Sequence, residues 1–186
     1  MVILLTLISY IIGNFLPALQ LGRHAGKKIT DEGSGNPGAR NAGRVFGKKA
    51  FFVVFLLDAG KGVLAVSMAF WFDGRPAILM LALAAVMLGH CYPFVHRFKG
   101  GKGAATFIGG LLVFNVTWVV PILITFAVLY PFIKKFTAAS VYAALSIIPC
   151  SFWIYDEQVT VIASFIVGLL LWTHRANLSF QRGGSE

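Results

Sequence analysis

The chain has 186 residues, of which 58% are hydrophobic and only 12% are charged. Soluble proteins contain about 25% charged residues, so this composition excludes an ordinary soluble domain and indicates a multi-pass membrane protein. The net charge of +9 does not indicate nucleic-acid binding, because the basic residues lie in short clusters beside apolar runs, where they orient membrane segments. Little length remains for other structure, so we expect one domain over residues 1–186.

Six apolar runs follow one another along the chain, each of a length typical of membrane helices. They cover Met1–Leu21, Phe51–Phe72, Ala77–Val95, Ala104–Ile133, Thr137–Tyr155 and Val159–Thr173. The first run lacks a basic start and a small-residue cleavage site, which favours a retained helix over a removable signal peptide. The sequence therefore predicts an all-α polytopic membrane protein.

The basic residues predict which connections face the cytoplasm. Of the sixteen Lys and Arg residues, seven lie between Arg23 and Lys49, three between Arg97 and Lys102, two at Lys134 and Lys135, and two at Arg175 and Arg182. Six spans cannot place all four groups on one side of a membrane. The fourth run must therefore cross twice or re-enter. As one rod it would measure about 45 Å at ~1.5 Å per residue, too long for an upright span of ~30 Å.

Asn115 and Pro121 offer a break within this fourth run. We expect a short outward helix over Ala104–Phe114 and a return over Val116–Ile133. The total becomes seven transmembrane helices, one of them short or re-entrant. The N-terminus then lies outside the cell and the C-terminus in the cytoplasm.

A polar, glycine-rich loop between the first two runs has the composition of an anion site. This first loop comprises Gly33-Ser34-Gly35-Asn36-Pro37-Gly38-Ala39-Arg40-Asn41 and is followed by Arg44, Lys48 and Lys49. Glycines let backbone N–H groups approach a ligand, hydroxyl and amide side chains donate hydrogen bonds, and guanidinium groups match phosphate geometry. An ordinary cytoplasmic turn uses the same residue types, so this loop alone does not establish a site.

A second loop of the same kind, Lys99-Gly100-Gly101-Lys102-Gly103, follows the third run. Two lysines embedded among glycines exceed what membrane orientation requires. The two loops together predict one shared phosphate site at the membrane surface.

Charged and polar residues also lie within the apolar runs. Asp58 and Lys61 are three residues apart on one helix face, so they either form a structural ion pair or take part in catalysis. His90 precedes the second loop and is expected to orient it, although a lone histidine in an apolar helix is often a packing residue. Cys91 and Cys150 have no metal-type spacing, so neither a disulfide nor a zinc site is implied.

His174 and Asn177 are i,i+3 neighbours at the cytoplasmic end of the last run, with Arg175 between them. They are placed to close the site. The alternative, a charged helix end at the interface, fits Arg175 better than the other two residues.

The inventory of motifs restricts the chemistry. The sequence has no G-x-S-x-G nucleophile elbow, no P-loop and no histidine followed five residues later by aspartate. In place of such motifs, the predicted cytoplasmic face offers anion-binding cations, amides and hydroxyls, which suit two phosphorylated substrates. If one substrate carries its own leaving group, the protein needs mainly to position the reactants and stabilise charge. An acyl phosphate meets this condition.

Four motifs, in this order and over nearly the whole chain, resemble the bacterial acyl-phosphate-dependent glycerol-3-phosphate acyltransferases of the PlsY type. They are Gly33–Asn41 with Arg44, Leu57-Asp58-Ala59-Gly60-Lys61-Gly62, Gly89-His90 through Phe98–Thr106, and His174-Arg175-Ala176-Asn177. The resemblance implies a seven-helix enzyme of the bacterial cell membrane with a cytoplasmic active site. It implies transfer of a fatty acyl group from acyl phosphate to the 1-hydroxyl of glycerol 3-phosphate. The product, lysophosphatidic acid, starts phospholipid biosynthesis.

The resemblance also implies partners and residue roles. We expect glycerol 3-phosphate, acyl phosphate and membrane lipids as partners, with no cofactor, no metal, no nucleic acid and no obligate protein partner. By motif position, the catalytic residues would be Ser34, Arg44 and Lys102 on phosphate, and His174 and Asn177 on the acyl phosphate and reacting centre. Substrate-binding residues are expected at Gly35, Asn36, Gly38, Arg40, Asn41, His90, Lys99, Gly100, Gly101, Gly103 and, from a less distinctive stretch, Ser140. The family mechanism has no protein nucleophile, and substrate phosphate takes the proton.

Two positions depart from the family pattern. The chain has Arg40 where the family usually has threonine, and Phe180 where it usually has a basic residue.

Two other functions stay open. One is a transporter or binding protein for a phosphorylated solute, because short helices and intramembrane charge also mark transport pathways, although the chain shows no internal repeat. The other is a paralogue with a different acyl donor or acceptor.

Overall fold

The computed structural model describes residues 1–178, and every regular element among these residues is an α-helix or a short 3-10 helix. The predicted all-α fold is confirmed for this part of the chain. The residues group into two compact units, Met1–Val116 and Thr117 onward. The expectation of a single domain stays a prediction. Phe180 and Arg182 lie outside the described residues.

The first unit is built from six α-helices. They are α1 (Val2–Gly13), α2 (Pro17–His24), α3 (Ala39–Phe46), α4 (Lys48–Phe72), α5 (Pro76–Cys91) and α6 (Ala104–Asn115). Helix α4 packs against α3 and α6, and α1 packs against α5. A Cβ on Gly62 would collide with the backbone of Thr106, and one on Gly109 with the backbone of Ala59. Glycine therefore permits the close approach of α4 and α6, as in many membrane helix pairs.

The first apolar run, predicted as one membrane helix, lies in a segment long enough to cross a membrane but is interrupted within it. Helix α1 ends at Gly13 and α2 begins at Pro17, with Leu16 extended between them (φ −115°, ψ 97°). Proline has no backbone N–H, so the Gly13 carbonyl cannot receive its usual helical hydrogen bond from the residue four positions later. The α-helical ladder breaks at this point.

The fourth run is interrupted at its predicted position. Helix α6 ends at Asn115, a 3-10 turn covers Val116–Trp118, and α7 begins at Val119. Pro121 lies in the first turn of α7 and has no N–H to donate to the carbonyl of Thr117, which lies in this 3-10 turn. The predicted contribution of Pro121 to the interruption agrees with this position. The helix boundary at Asn115 is confirmed, whereas the return of α7 across the membrane stays a prediction.

The second unit, as far as residue 178, contains five α-helices. They are α7 (Val119–Ile133), α8 (Phe136–Ala143), α9 (Ile147–Ile154), α10 (Glu157–Thr173) and α11 (Arg175–Leu178). Helix α7 packs against α8, α9 packs against α10, and α11 packs against α8. A 3-10 turn over Ala144–Ser146 separates α8 from α9, because Pro149 cannot donate to the carbonyl of Leu145. The fifth run is therefore two short helices.

Five helical segments of the described residues are long and apolar enough to cross a membrane. They are Val2–His24, Lys48–Phe72, Pro76–His96, Ala104–Ile133 and Phe136–Ile154, while Glu157–Thr173 is apolar but shorter. Trp71 and Trp153, near the ends of two of these segments, are 81% and 84% exposed. Exposed tryptophans at such ends are typical of the membrane interface. Seven crossings and the sides of the termini stay predictions.

Candidate functional site

The first loop connects α2 to α3 and is held by the buried side chain of Asn41. Asn41 Oδ1 accepts a 2.8 Å hydrogen bond from the backbone N–H of Ser34. Its Nδ2 donates to the carbonyl oxygens of Ile29 and Glu32, at 3.2 and 3.0 Å. The Asn41 amide is thus occupied by the loop backbone. The residue therefore shapes the loop, and its substrate-binding role stays a prediction.

The second loop leaves α5 through a 3-10 turn at Phe94–His96 and leads into α6. Arg97 and Phe98, with φ of 54° and 59°, turn the chain just before Lys99. The N–H groups of Gly100 and Gly101 donate to the carbonyls of Cys91 and His90, at 3.1 and 3.0 Å. These two N–H groups are therefore used to fasten the loop to α5. The substrate-binding role of Gly100 and Gly101 stays a prediction.

The two loops meet at a cavity of about 600 Å³ in the first unit. Its lining comprises Lys28, Thr30, Asp31, Ser34, Gly35, Asn36, Pro37, Lys99 and Gly100. Residues 34 and 99 are far apart in the chain, yet both line this cavity. The structure thus brings together the two loops that the sequence suggested as parts of one site.

Three residues of the cavity were not predicted from the sequence: Lys28, Thr30 and Asp31. Lys28 Nζ lies 3.0 Å from Asp31 Oδ2, and Thr30 Oγ donates to Asp31 Oδ1 at 3.2 Å. The hydrogen bond from Lys28 holds the pKa of Asp31 below its ordinary value. The cavity therefore contains an ionised carboxylate paired with an ammonium group. In the sequence, only their position shortly before the glycine-rich loop points to these three residues.

Several predicted residues of the first unit lie outside the cavity lining. They are Gly38, Arg40, Asn41, Arg44, His90, Gly101, Lys102 and Gly103. Arg40 and Arg44 are exposed side chains one turn apart on α3, so they share a face of that helix. Lys102 is half-buried, and Gly38 and Gly103 directly precede α3 and α6.

Asp58, Lys61 and His90 form a buried group below the second loop. Lys61 Nζ lies 3.0 Å from Asp58 Oδ1 and 2.6 Å from His90 Nδ1. Asp58 Oδ1 receives no hydrogen bond of good geometry, so its contact with Lys61 is ionic in character. The predicted pairing of Asp58 with Lys61 is confirmed, and His90 is its third member.

The predicted residues of the second unit lie on α8 (Ser140), directly after α10 (His174) and on α11 (Asn177). His174 is buried, and its Nδ1 lies 2.9 Å from the carbonyl oxygen of Leu170. A carbonyl only accepts, so this nitrogen carries the proton. The backbone N–H of Asn177 donates to the His174 carbonyl at 2.7 Å, at the start of α11. Ser140 donates its hydroxyl to the carbonyl of Phe136 at 2.8 Å, and its helix, α8, packs against α11.

Within residues 1–178, no three His, Cys, Asp or Glu side chains are grouped so that they could hold a metal ion. Cys91 and Cys150 are both free thiols.

Sequence comparisons place these features in a known family. The family model for glycerol-3-phosphate acyltransferase matches residues 3–182. Glycerol-3-phosphate acyltransferase 1 of Bacillus cereus is 42% identical over 171 residues, covering 90% of this chain and 93% of that protein. The glycerol-3-phosphate acyltransferase of Listeria monocytogenes serotype 4a is 34% identical over 187 residues, covering 99% and 94% of the two chains.

Two solved structures are also similar. Both are crystal structures of PlsY, described as an integral membrane glycerol 3-phosphate acyltransferase. The glycerol 3-phosphate form has a TM-score of 0.85 and 29% identity, covering 95% of this chain and 90% of that one. The lysophosphatidic acid form has a TM-score of 0.82 and 30% identity, covering 95% and 89%. With a family model that matches nearly its whole length, this chain belongs to the glycerol-3-phosphate acyltransferase family.

Proposed function

We propose that the chain transfers a fatty acyl group from acyl phosphate to the 1-hydroxyl of glycerol 3-phosphate, giving lysophosphatidic acid and phosphate. The observation that carries this proposal is the cavity at which Ser34 and Lys99, from two glycine-rich loops, come together. Its volume of about 600 Å³ is in the range of small-molecule sites. Family membership supports the acceptor. PlsY structures described with glycerol 3-phosphate and with lysophosphatidic acid support the acceptor and the product.

The proposed reaction needs no covalent intermediate with the protein. The 1-hydroxyl oxygen attacks the acyl carbonyl carbon, and an ester C–O bond forms. The C–O bond between that carbon and the phosphate breaks, and phosphate leaves with the bonding electrons. The hydroxyl proton passes to a substrate phosphate oxygen. The protein then contributes by positioning the two substrates and stabilising the developing negative charge.

Individual roles follow the motif positions. Ser34, Arg44 and Lys102 bind phosphate, and Gly35, Asn36 and Lys99 contact the acceptor in the cavity. The proposed ligands of the acyl phosphate are His174 and Asn177, with Ser140 as a further substrate contact. Arg44 has an exposed guanidinium group, and His174 donates its Nδ1–H to the carbonyl oxygen of Leu170. Both observations support these assignments.

We also propose that this site faces the cytoplasm of a bacterial cell, in a protein with seven transmembrane helices and an external N-terminus. Seven of the sixteen basic residues lie between Arg23 and Lys49, and three more lie between Arg97 and Lys102. Basic connections remain in the cytoplasm. The end of α6 at Asn115 supports the additional crossing that this topology requires.

A donor assay tests the proposal. Purified protein is incubated with labelled glycerol 3-phosphate and either acyl phosphate or acyl-CoA, and lysophosphatidic acid is measured, with Ser34→Ala as the inactive control. We expect product from acyl phosphate alone. Product from acyl-CoA alone would assign a different donor. If neither donor gives product, the proposed activity is wrong, and uptake of glycerol 3-phosphate into proteoliposomes tests the transporter alternative.

A further inference from the structure

The break between α1 and α2 is closed by a side chain from another helix. Because Pro17 has no N–H, the carbonyl oxygen of Gly13 lacks its helical donor. Lys61 Nζ, on α4, donates to this oxygen at 3.1 Å and to the carbonyl oxygen of Phe15 at 2.8 Å. Lys61 is only 6% exposed, so it makes these bonds within the protein interior. Lys61 therefore ties the start of α2 to α4, and α2 packs against the turn Ile29–Asp31 that leads into the first loop.

The same ammonium group also reaches the helix that carries the second loop. Lys61 Nζ lies 2.6 Å from Nδ1 of His90, which is 3% exposed on α5. Asp58, 1% exposed, lies 3.0 Å from Lys61 Nζ and 3.3 Å from His90 Nδ1 and neutralises the buried charge. A buried ammonium group without such an anion would be strongly unfavourable.

His90 in turn contacts the second loop with both its backbone and its ring. Its carbonyl accepts the N–H of Gly101 at 3.0 Å. A Cβ on Gly101 would collide with His90 Nε2, and the three atoms nearest to that Cβ all belong to the imidazole. The φ of Gly101 is not in the left-handed region, so the ring alone, and not the backbone conformation, excludes a side chain there.

We infer that Asp58, Lys61 and His90 are positioning residues that hold the two glycine-rich loops in register, so that both can contact one phosphorylated substrate. Lys61 bonds the backbone at the α1–α2 break and contacts the His90 imidazole. The imidazole in turn limits how closely the second loop can approach α5. This inference rests on the proposed function for its kinetic consequence. Its structural part, the coupling of His90 to Gly101, does not depend on any activity.

A double-mutant cycle tests the structural part. Gly101→Ala, His90→Ala and the double variant are compared in detergent by thermal unfolding. We expect Gly101→Ala to lower the Tm and the double variant to be no less stable than His90→Ala alone, because removal of the ring makes room for the new methyl group. Gly100→Ala is the matched control, since its Cβ would meet the backbone carbonyl of His90, and His90→Ala should not rescue it. Additive losses in the Gly101 cycle would overturn the inference.

The kinetic part is tested with Asp58→Asn combined with Lys61→Met, which removes both buried charges together. We expect kcat/KM for glycerol 3-phosphate to fall by about tenfold to a hundredfold, mainly through KM, because small misplacements of binding groups are costly. Leu83→Ala, also buried on α5, is the control for general destabilisation and should leave KM unchanged at a similar loss of Tm. Equal KM values for the two variants would overturn the positioning role.

If the wild type forms no product, the proposed function fails, and the Gly101 cycle still decides the inference. If the charge-removed variant does not fold, that cycle likewise decides it.

Discussion

Oδ1 of Asn41 lies 2.8 Å from the backbone nitrogen of Ser34, and this hydrogen bond ties the first loop to α3. Two further hydrogen bonds run from Asn41 Nδ2 to the carbonyls of Ile29 and Glu32. One buried amide thus fixes the backbone on both sides of Gly33. Ser34 lines the cavity, and this amide holds its backbone in place there.

Replacement of this amide should act on stability and on binding together. Asn41→Ala leaves one N–H and two carbonyls without their partner, which should cost about 1–3 kcal/mol of unfolding free energy. It should also raise KM for glycerol 3-phosphate, because Ser34 moves. Asn41→Asp keeps the acceptor for Ser34 but turns a carboxylate toward two carbonyls, so we expect a similar loss. Denaturation and kinetics check both variants. A raised KM with unchanged stability would instead make Asn41 a direct substrate ligand.

The two lysines of the second loop should differ in their effects. Lys102→Ala should reduce kcat by roughly 10²–10³-fold while the protein stays folded, because a cation that stabilises phosphate charge in a desolvated site contributes strongly to the barrier. Lys99, an exposed residue that lines the cavity, should matter less. Initial rates of Lys99→Ala and Lys102→Ala at saturating substrate measure the difference. Equal losses would refute Lys102 as the main phosphate ligand.

The topology can be tested with single cysteines. In a background without Cys91 and Cys150, cysteines are placed at Lys135 and at Asp156. We expect the first to be protected from an impermeant thiol reagent in intact cells and the second to react, because the run Ala104–Ile133 is expected to cross twice. Labelling of both sites in broken cells is the control for accessibility. Reaction of the cysteine at 135 from outside would exclude the seven-helix topology.

Arg40 is expected to add a phosphate contact that the family usually lacks. It lies one turn before Arg44 on the exposed face of α3, so both guanidinium groups can approach one anion. Arg40→Thr should raise KM for a phosphorylated substrate and leave kcat nearly unchanged, the pattern of lost uniform binding. The difference should shrink as salt rises and the screening length falls to about 8 Å. An unchanged KM at low salt would leave Arg40 as an orientation charge only.

Asp31 should weaken binding of an anion in the cavity. Because Lys28 holds its pKa below the ordinary value, the carboxylate is ionised at neutral pH and opposes a bound phosphate. Asp31→Asn should therefore lower KM for glycerol 3-phosphate by about two- to fivefold, a modest effect because both side chains are exposed. Glu32→Gln removes the same charge from a neighbour outside the cavity lining and serves as the matched control. A rise in KM for Asp31→Asn would indicate that the carboxylate binds the glycerol hydroxyls.

Much of the helical framework could be predicted from the sequence because its causes are local. Apolar runs of membrane length gave helices, and the α-helix boundary at Asn115 was expected from the excessive length of the fourth run. Breaks caused by proline were partly missed. Pro17 in the first run, Pro121 in the fourth and Pro149 in the fifth each remove one helical hydrogen bond beside an interruption, and only the interruption of the fourth run was predicted.

The motifs by themselves determined the family and the two loops of the candidate site, because glycine, lysine and arginine carry the chemistry of anion binding wherever they fold. Only the tertiary structure decided how those residues are used. Helices α4 and α5 bring Lys61 to the α1–α2 break and to His90, and they leave Ser34 and Lys99 on one cavity. Whether an amide such as that of Asn41 faces a substrate or its own loop depends on which unpaired backbone groups lie beside it after packing. Such contacts join residues that are distant in the chain, so no local pattern of apolar or polar residues specifies them.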